Sequence, residues 1–116
     1  MLLLKNIWRE WIKLLIVNLI VKEAADSDVA EILTYLVFNH AKSAAERFKN
    51  SFRTKYKDIT LFPDAGMKVR VKRLRHYLFV IVEKYYVFYT FKNYLVTIER
   101  VLHTARNYKA ILGKQG

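Results

Sequence analysis

Residues 84–112, KYYVFYTFKNYLVTIERVLHTARNYKAIL, constrain this chain more than any other stretch. Tyr85, Val87, Tyr89 and Phe91 fall on one face by period-two alternation, the spacing of a half-buried strand. A short polar turn at Lys92 and Asn93 separates them from a second apolar run, so a β-hairpin is expected over 84–102. A hairpin with so apolar a face needs further strands or helices to cover it. The second strand then runs into an unusual polar cluster. Arg100, His103, Arg106 and Tyr108 fall within nine residues, and all four are side chains that grip phosphate or move protons.

Upstream of the hairpin the pattern changes twice. Ile16, Asn18, Ile20 and Lys22 alternate with Val17, Leu19 and Val21, which suits a first strand over 15–22. Asp28 with Glu31, and Ser43 with Glu46, have the spacing of capping boxes, in which a side chain covers the free N–H groups of a helix start. Val29, Ile32, Leu33 and Leu36 repeat at helical spacing behind the first box. Ala45, Phe48, Phe52, Tyr56 and Ile59 do so behind the second. Helices are therefore expected over about 27–40 and 43–59. Pro63, Asp64, Ala65 and Gly66 form a turn. From residue 68 the period returns to two, with Val69 and Val71 against Arg70 and Lys72 in a basic strand over 69–75, followed by an apolar run over 77–82. The expected fold class is α+β, in the order β-α-α-β-β-β. A helical hairpin packs on a mostly antiparallel, four-stranded sheet, because two consecutive apolar helix stripes need a common sheet face.

At 116 residues the chain fits one domain, assigned to 15–112 with an extension at 1–14 and a tail at 113–116. MLLLKNIWREWIKLLIVNLIV is apolar, yet Lys5, Arg9, Glu10 and Lys13 interrupt it. A membrane-spanning helix needs roughly 20 apolar residues, so no span is expected here. The chain holds no cysteine, which excludes disulfides and thiolate chemistry, and a cytoplasmic location is expected. His40, His76 and His103 share no metal-ligand spacing, so neither metal nor cofactor is expected.

The formal charge is +11, and its distribution is uneven. Residues 23–41 carry four acids and no Lys or Arg, whereas residues 42–75 carry eleven bases against three acids. Such a field attracts polyanions: nucleic acid, ribosome or an acidic protein. Arg70, Lys72, Arg73 and Arg75 are too many bases in six residues to bury, so they face solvent or a partner.

Several pieces of the chain resemble the RelE/ParE superfamily, the toxin halves of bacterial type II toxin–antitoxin (plasmid stabilisation) systems. DVAEILTYL resembles the family's first helix, and AERF at Ala45–Phe48 the start of its second. LFPDAG at Leu61–Gly66 is similar to the usual exit, YYVFY at Tyr85–Tyr89 to a family strand, and RVLHTARN to the family's tail. The resemblance implies a growth-inhibiting toxin, neutralised by an acidic antitoxin. Its target would be either messenger RNA on the ribosome or DNA gyrase. In the RNA-cutting members an Arg commonly follows the first Tyr of the YYVFY-like strand; here that position is Tyr86. The tail resembles the gyrase-poisoning members, with Asn107 in place of their usual Asp.

RNA cleavage is placed first, because phosphate-gripping and proton-moving groups converge after residue 99 beside a basic strand; such an endoribonuclease would need no metal. His103 would serve as acid or base, Arg106 and Arg100 as phosphate clamps, and Tyr108 as an auxiliary acid. Arg70, Lys72, Arg73 and Arg75 would bind nucleic acid or the antitoxin. Each residue has a plainer role open to it. His103 can hydrogen-bond backbone at a strand end, and Arg100 can form an ion pair with Glu99 or Glu83. A basic nucleic-acid-binding module, or a decayed toxin without activity, is the remaining alternative.

Overall fold

A computed structural model describes residues 18–114. The extension at 1–14 and the first residues of the expected strand 15–22 lie outside the described residues. The order is β1 (Asn18–Val21), α1 (Glu23–Asn39), α2 (Lys42–Leu61), β2 (Met67–Lys68), β3 (Leu78–Val82), β4 (Tyr85–Lys92), β5 (Leu95–His103) and α3 (Tyr108–Gly113). The strands form one sheet in the order β1-β5-β4-β3-β2, antiparallel throughout except for β1, which pairs parallel with β5. The sheet thus has five strands where four were expected.

The β4–β5 hairpin is the spine of the domain. Lys92 pairs with Leu95, so the loop is Asn93–Tyr94, one residue later than the expected polar turn. Both loop residues have positive φ, 53° and 60°. That geometry twists a two-residue loop in the same sense as the strands it joins. Tyr85, Val87, Tyr89 and Phe91 do share a face, packed against both helices together with Val96, Ile98 and Val101. Tyr86 and Phe88 point to the opposite face.

Both helices start and hold differently from the capping-box expectation. α1 begins at Glu23, not near residue 27, and neither helix has a side-chain cap. Glu23 and Asp26 fall in the first turn of α1, where their charge favours the positive helix end. Asp28 is then an interior residue of α1, recruited by a tertiary partner instead of a helix terminus. Ala45, Phe48, Phe52 and Ile59 form the buried stripe of α2, as their spacing requires.

The expected strand over 69–75 is the main correction. Only Met67 and Lys68 pair with β3. Beyond them the chain leaves the sheet edge and turns through a short 3-10 helix, Lys72–Leu74. Val69, Leu74 and Tyr77 fold onto the second face of the sheet, where they meet Phe88, Leu102 and Leu112 of α3. Burial of these three apolar groups on an already exposed sheet face outweighs two or three further ladder hydrogen bonds at an edge. The sheet is consequently covered on both sides. α3 is capped by Asn107, whose Oδ1 accepts from Ala110 N at 3.4 Å.

Tyr89 ties the turn after α2 to the sheet. Its hydroxyl donates to Pro63 O at 2.8 Å and accepts from Gly66 N–H at 3.1 Å, on a side chain wholly removed from solvent. Gly66 has ordinary φ, so space and not conformation excludes a side chain there: a Cβ would meet the Tyr89 hydroxyl. Tyr89→Phe should therefore lose about 1–3 kcal/mol in urea unfolding, the cost of orphaning buried backbone groups. Gly66→Ala should cost at least as much, and an unchanged midpoint for both would contradict this account.

Burial holds the hydroxyls of Tyr56, Tyr77, Tyr85 and Tyr89 above the ordinary tyrosine value of 10.0. The hydrogen bond to Glu99 likewise raises Lys22 above 10.5. In each case the folded state holds its proton more tightly than the unfolded chain. The associated stability is complete below pH 10 and drains away as pH rises through the folded values. The urea midpoint should hold steady up to about pH 10 and fall above it, with delayed tyrosinate absorbance in the folded protein.

Candidate functional site

α1, the start of α2, the β3–β4 turn and the end of β5 enclose a cleft of about 490 Å³. Its floor rests on an ion pair between helix and sheet. Asp28 Oδ2 accepts from Arg100 Nε at 2.7 Å and Oδ1 from Arg100 Nη2 at 2.8 Å, a planar two-point grip. Oδ2 also accepts the backbone N–H of Val101 at 2.9 Å. The carboxylate is 7% exposed and all of this bonding comes from one segment of β5. Asp28 in turn holds the guanidinium above its ordinary value, against the opposing effect of burial.

A register shift in the hairpin makes the grip geometrically available. Phe88 pairs with Arg100 but Tyr89 pairs with Ile98, so Glu99 has no Cα partner. The extra residue turns Arg100 and Val101 together towards α1, as bulges re-aim side chains that strict alternation would separate. Glu99 is buried too, held by Lys22 Nζ at 2.7 Å and by Thr90 Oγ1 at 3.3 Å.

The four polar residues at the chain's end do not converge. His103 and Arg106 line the cleft. Arg100 lies below them with its guanidinium held by Asp28, which is neither of the partners expected from the sequence. Tyr108 is on the other side of the sheet, its ring 5.5 Å from Tyr86 and 5.2 Å from Phe88 between centroids. His103 Nδ1 accepts from Ala105 N–H at 3.0 Å, the plain backbone role open to it at a strand end, which leaves the proton of the neutral ring on Nε2. Its ring stands edge-on to Tyr85 at 5.4 Å.

The cleft also gathers residues that no motif indicated: Tyr35, His40, Arg47 and Lys84. Arg47 reaches Glu83 at 3.7 Å in an exposed, weakly stabilising pair. Tyr35 is half exposed, and Val37 and Phe38 follow it on the exposed end of α1. Asp28 had a usable signal. It falls at helical spacing with Ala25, Ile32 and Leu36 and so belongs to the buried stripe of α1, where an acid needs a partner.

The basic positions are elsewhere. Arg70, Lys72 and Arg73 are exposed on the segment that crosses the second face of the sheet. Arg75 turns to the end of the sheet, where it lines a smaller cleft with Asp64, Lys68 and His76. Among the described residues, no group of three His, Asp or Glu is placed to hold a metal ion, and no helix is long and apolar enough to cross a membrane.

The family model described as ParE toxin of type II toxin-antitoxin system, parDE, matches residues 19–108. The chain belongs to this family. The match runs from β1 to the first residue of α3, so the helical hairpin, the sheet and the cleft all fall within it. Among solved structures, the chromosomal ParDE TA system from P. aeruginosa is similar in fold, with a TM-score of 0.65 and 13% identity. The alignment covers 77% of this chain and 97% of that one. No curated protein matches the sequence.

The Asp28 grip gives a direct test. Asp28→Asn leaves the cationic guanidinium half-paired in a mostly buried place, a change that costs about 3 kcal/mol or more for buried pairs. Asp28→Ala should cost at least as much. Glu46→Gln, exposed on α2, should leave the unfolding midpoint within about 0.5 kcal/mol of the parent.

Proposed function

We propose that this ParE-family toxin arrests growth by poisoning DNA gyrase, without cutting RNA, and is neutralised by an antitoxin. One observation carries the choice between targets: the groups an endoribonuclease would need are dispersed over both faces of the sheet. Transfer at a phosphate requires an acid, a base and a charge clamp within hydrogen-bond reach of one phosphorus. Here the Arg100 fork is taken up by Asp28, and Tyr108 is separated from His103 by the thickness of the sheet. Tyr86 occupies the strand position where RNA-cutting relatives commonly carry Arg. This reading reverses the order expected from the sequence, where closeness along the chain stood in for closeness in space.

The cleft suits a protein target better than a nucleotide. Its charge is mixed, with Arg47, Lys84 and Arg106 set among Glu31 and Glu83, and its approach carries exposed Tyr35 and Phe38. Exposed aromatics beside a polar rim mark protein contact surfaces. Phosphate recognition would call for uniform positive charge.

Expression of the chain without its antitoxin should inhibit growth while DNA breaks accumulate and messenger RNA stays intact. With purified gyrase, the chain should slow supercoiling and trap cleaved DNA. His103→Ala should alter toxicity by less than about tenfold, because it removes no general acid or base; a ribonuclease would lose on the order of 10²-fold or more. RNA cleavage by the parent chain, abolished by that substitution, would overturn the proposal.

A further inference from the structure

Acids are absent from one whole layer of this domain, on the side away from the cleft. The second face of the sheet is covered by residues 69–77 and by α3. Residues 65–82 and 100–116 contain no Asp or Glu, so both parts of this covering layer are free of acids. Arg70, Lys72, Arg73, Lys109 and Lys114 are all exposed on it. The 3-10 turn Lys72–Leu74 packs on α3, and the Arg73 guanidinium reaches Gly113, the last residue of that helix. Lys109 lies 6.0 Å from the Tyr108 ring on the same side. Among the described residues, none of the five makes an ion pair. Glu99, whose charge acts on Tyr77 of this layer, is itself buried and already paired with Lys22.

We propose that this face binds the phosphate backbone of duplex DNA, independently of base sequence and on the opposite side of the domain from the cleft. Two features favour a nucleic acid over an acidic polypeptide. The apolar side chains beneath the bases, Val69, Leu74, Tyr77 and Leu112, are 1–3% exposed, so the layer offers no pocket for the apolar anchors a bound peptide needs. Five cations without a single competing acid are the arrangement that counterion release rewards, and a duplex presents the densest line of phosphates. The aromatic rings of this face pack on one another, Tyr86 against Phe79 at 5.2 Å and against Tyr108 at 5.5 Å. They are engaged in the layer instead of standing free to stack unpaired bases, which favours duplex over single strand. The proposal does not depend on gyrase being the target. The two would act together if the cleft held a protein while this face held the DNA on which that protein works.

The test is binding of the full chain to a fluorescent duplex of mixed sequence, measured over a range of salt. Each phosphate contact contributes about −0.9 to the slope of log K against log salt, so five cations should give a slope of about −4.5. Lys72→Gln/Arg73→Gln/Lys109→Gln should reduce the slope by about 2–3 units and weaken binding at low salt at least tenfold. Lys49→Gln/Arg53→Gln/Lys57→Gln removes the same charge from exposed positions of α2, on the other side of the sheet, and should keep the parent slope within one unit. Should the first triple variant fail to fold, Lys109→Glu alone should weaken binding more than Lys57→Glu. Equal losses on both sides would overturn the proposal, since net charge alone would then be responsible. Tighter binding to the single strand, or salt-sensitive binding to polyglutamate with none to the duplex, would also overturn it.

Discussion

One carboxylate joins the two halves of this domain. Asp28 extends from the middle of α1 to the bulged part of β5 and accepts three hydrogen bonds there, two from Arg100 and one from the backbone of Val101. Burying an ionised acid costs several kcal/mol unless its lone pairs are filled. Here they are filled only when α1, the bulge and the Arg100 rotamer are all in place. The ion pair is therefore weak as a source of stability but demanding about geometry.

The same constraint shapes the cleft. α1 is held against β5 near Arg100, and the hairpin α1–α2 then projects beyond the sheet towards the β3–β4 turn. His103, Arg106, Lys84 and Arg47 converge on the space between them. Arg100 contributes by fixing the helix and not by facing the opening. A chain can in this way keep the strand-end arginine of its family's tail motif while using it as structure.

Both sides of the sheet are covered, yet by unlike means. On the first side two long amphipathic helices bury their stripes against Tyr85, Val87 and Tyr89. On the second, a strand-like sequence abandons pairing after Lys68 and lays Val69, Leu74 and Tyr77 over Phe88 and Leu102. The bases interleaved with those apolar residues, Arg70, Lys72 and Arg73, are thereby turned outward together. The helical side mixes acids with bases, whereas this second layer carries bases and no acid, so the two surfaces present different electrostatics to a partner.

Much of this was legible in the residues themselves. Period-two alternation gave the hairpin, and helical spacing gave α1 and α2, because those patterns report burial on one face of a regular element. The family's order of elements was legible for the same reason. Local rules failed where a distant partner competed. Asp28 read as a cap because a capping box needs only four residues, while Arg100, its actual partner, is 72 positions away. Residues 69–75 read as a strand because alternation is blind to which surface will cover the apolar set. Arg100, His103, Arg106 and Tyr108 read as one site because they are neighbours in sequence. In the fold, successive positions of β5 and the turn into α3 send them to opposite faces of a sheet. The sequence by itself determined the hairpin, the two helices and that the protein is a basic α+β toxin-like domain. Tertiary structure alone decided which charges are neutralised, which face each side chain occupies and where a cleft opens, since those depend on long-range pairing that no local pattern encodes.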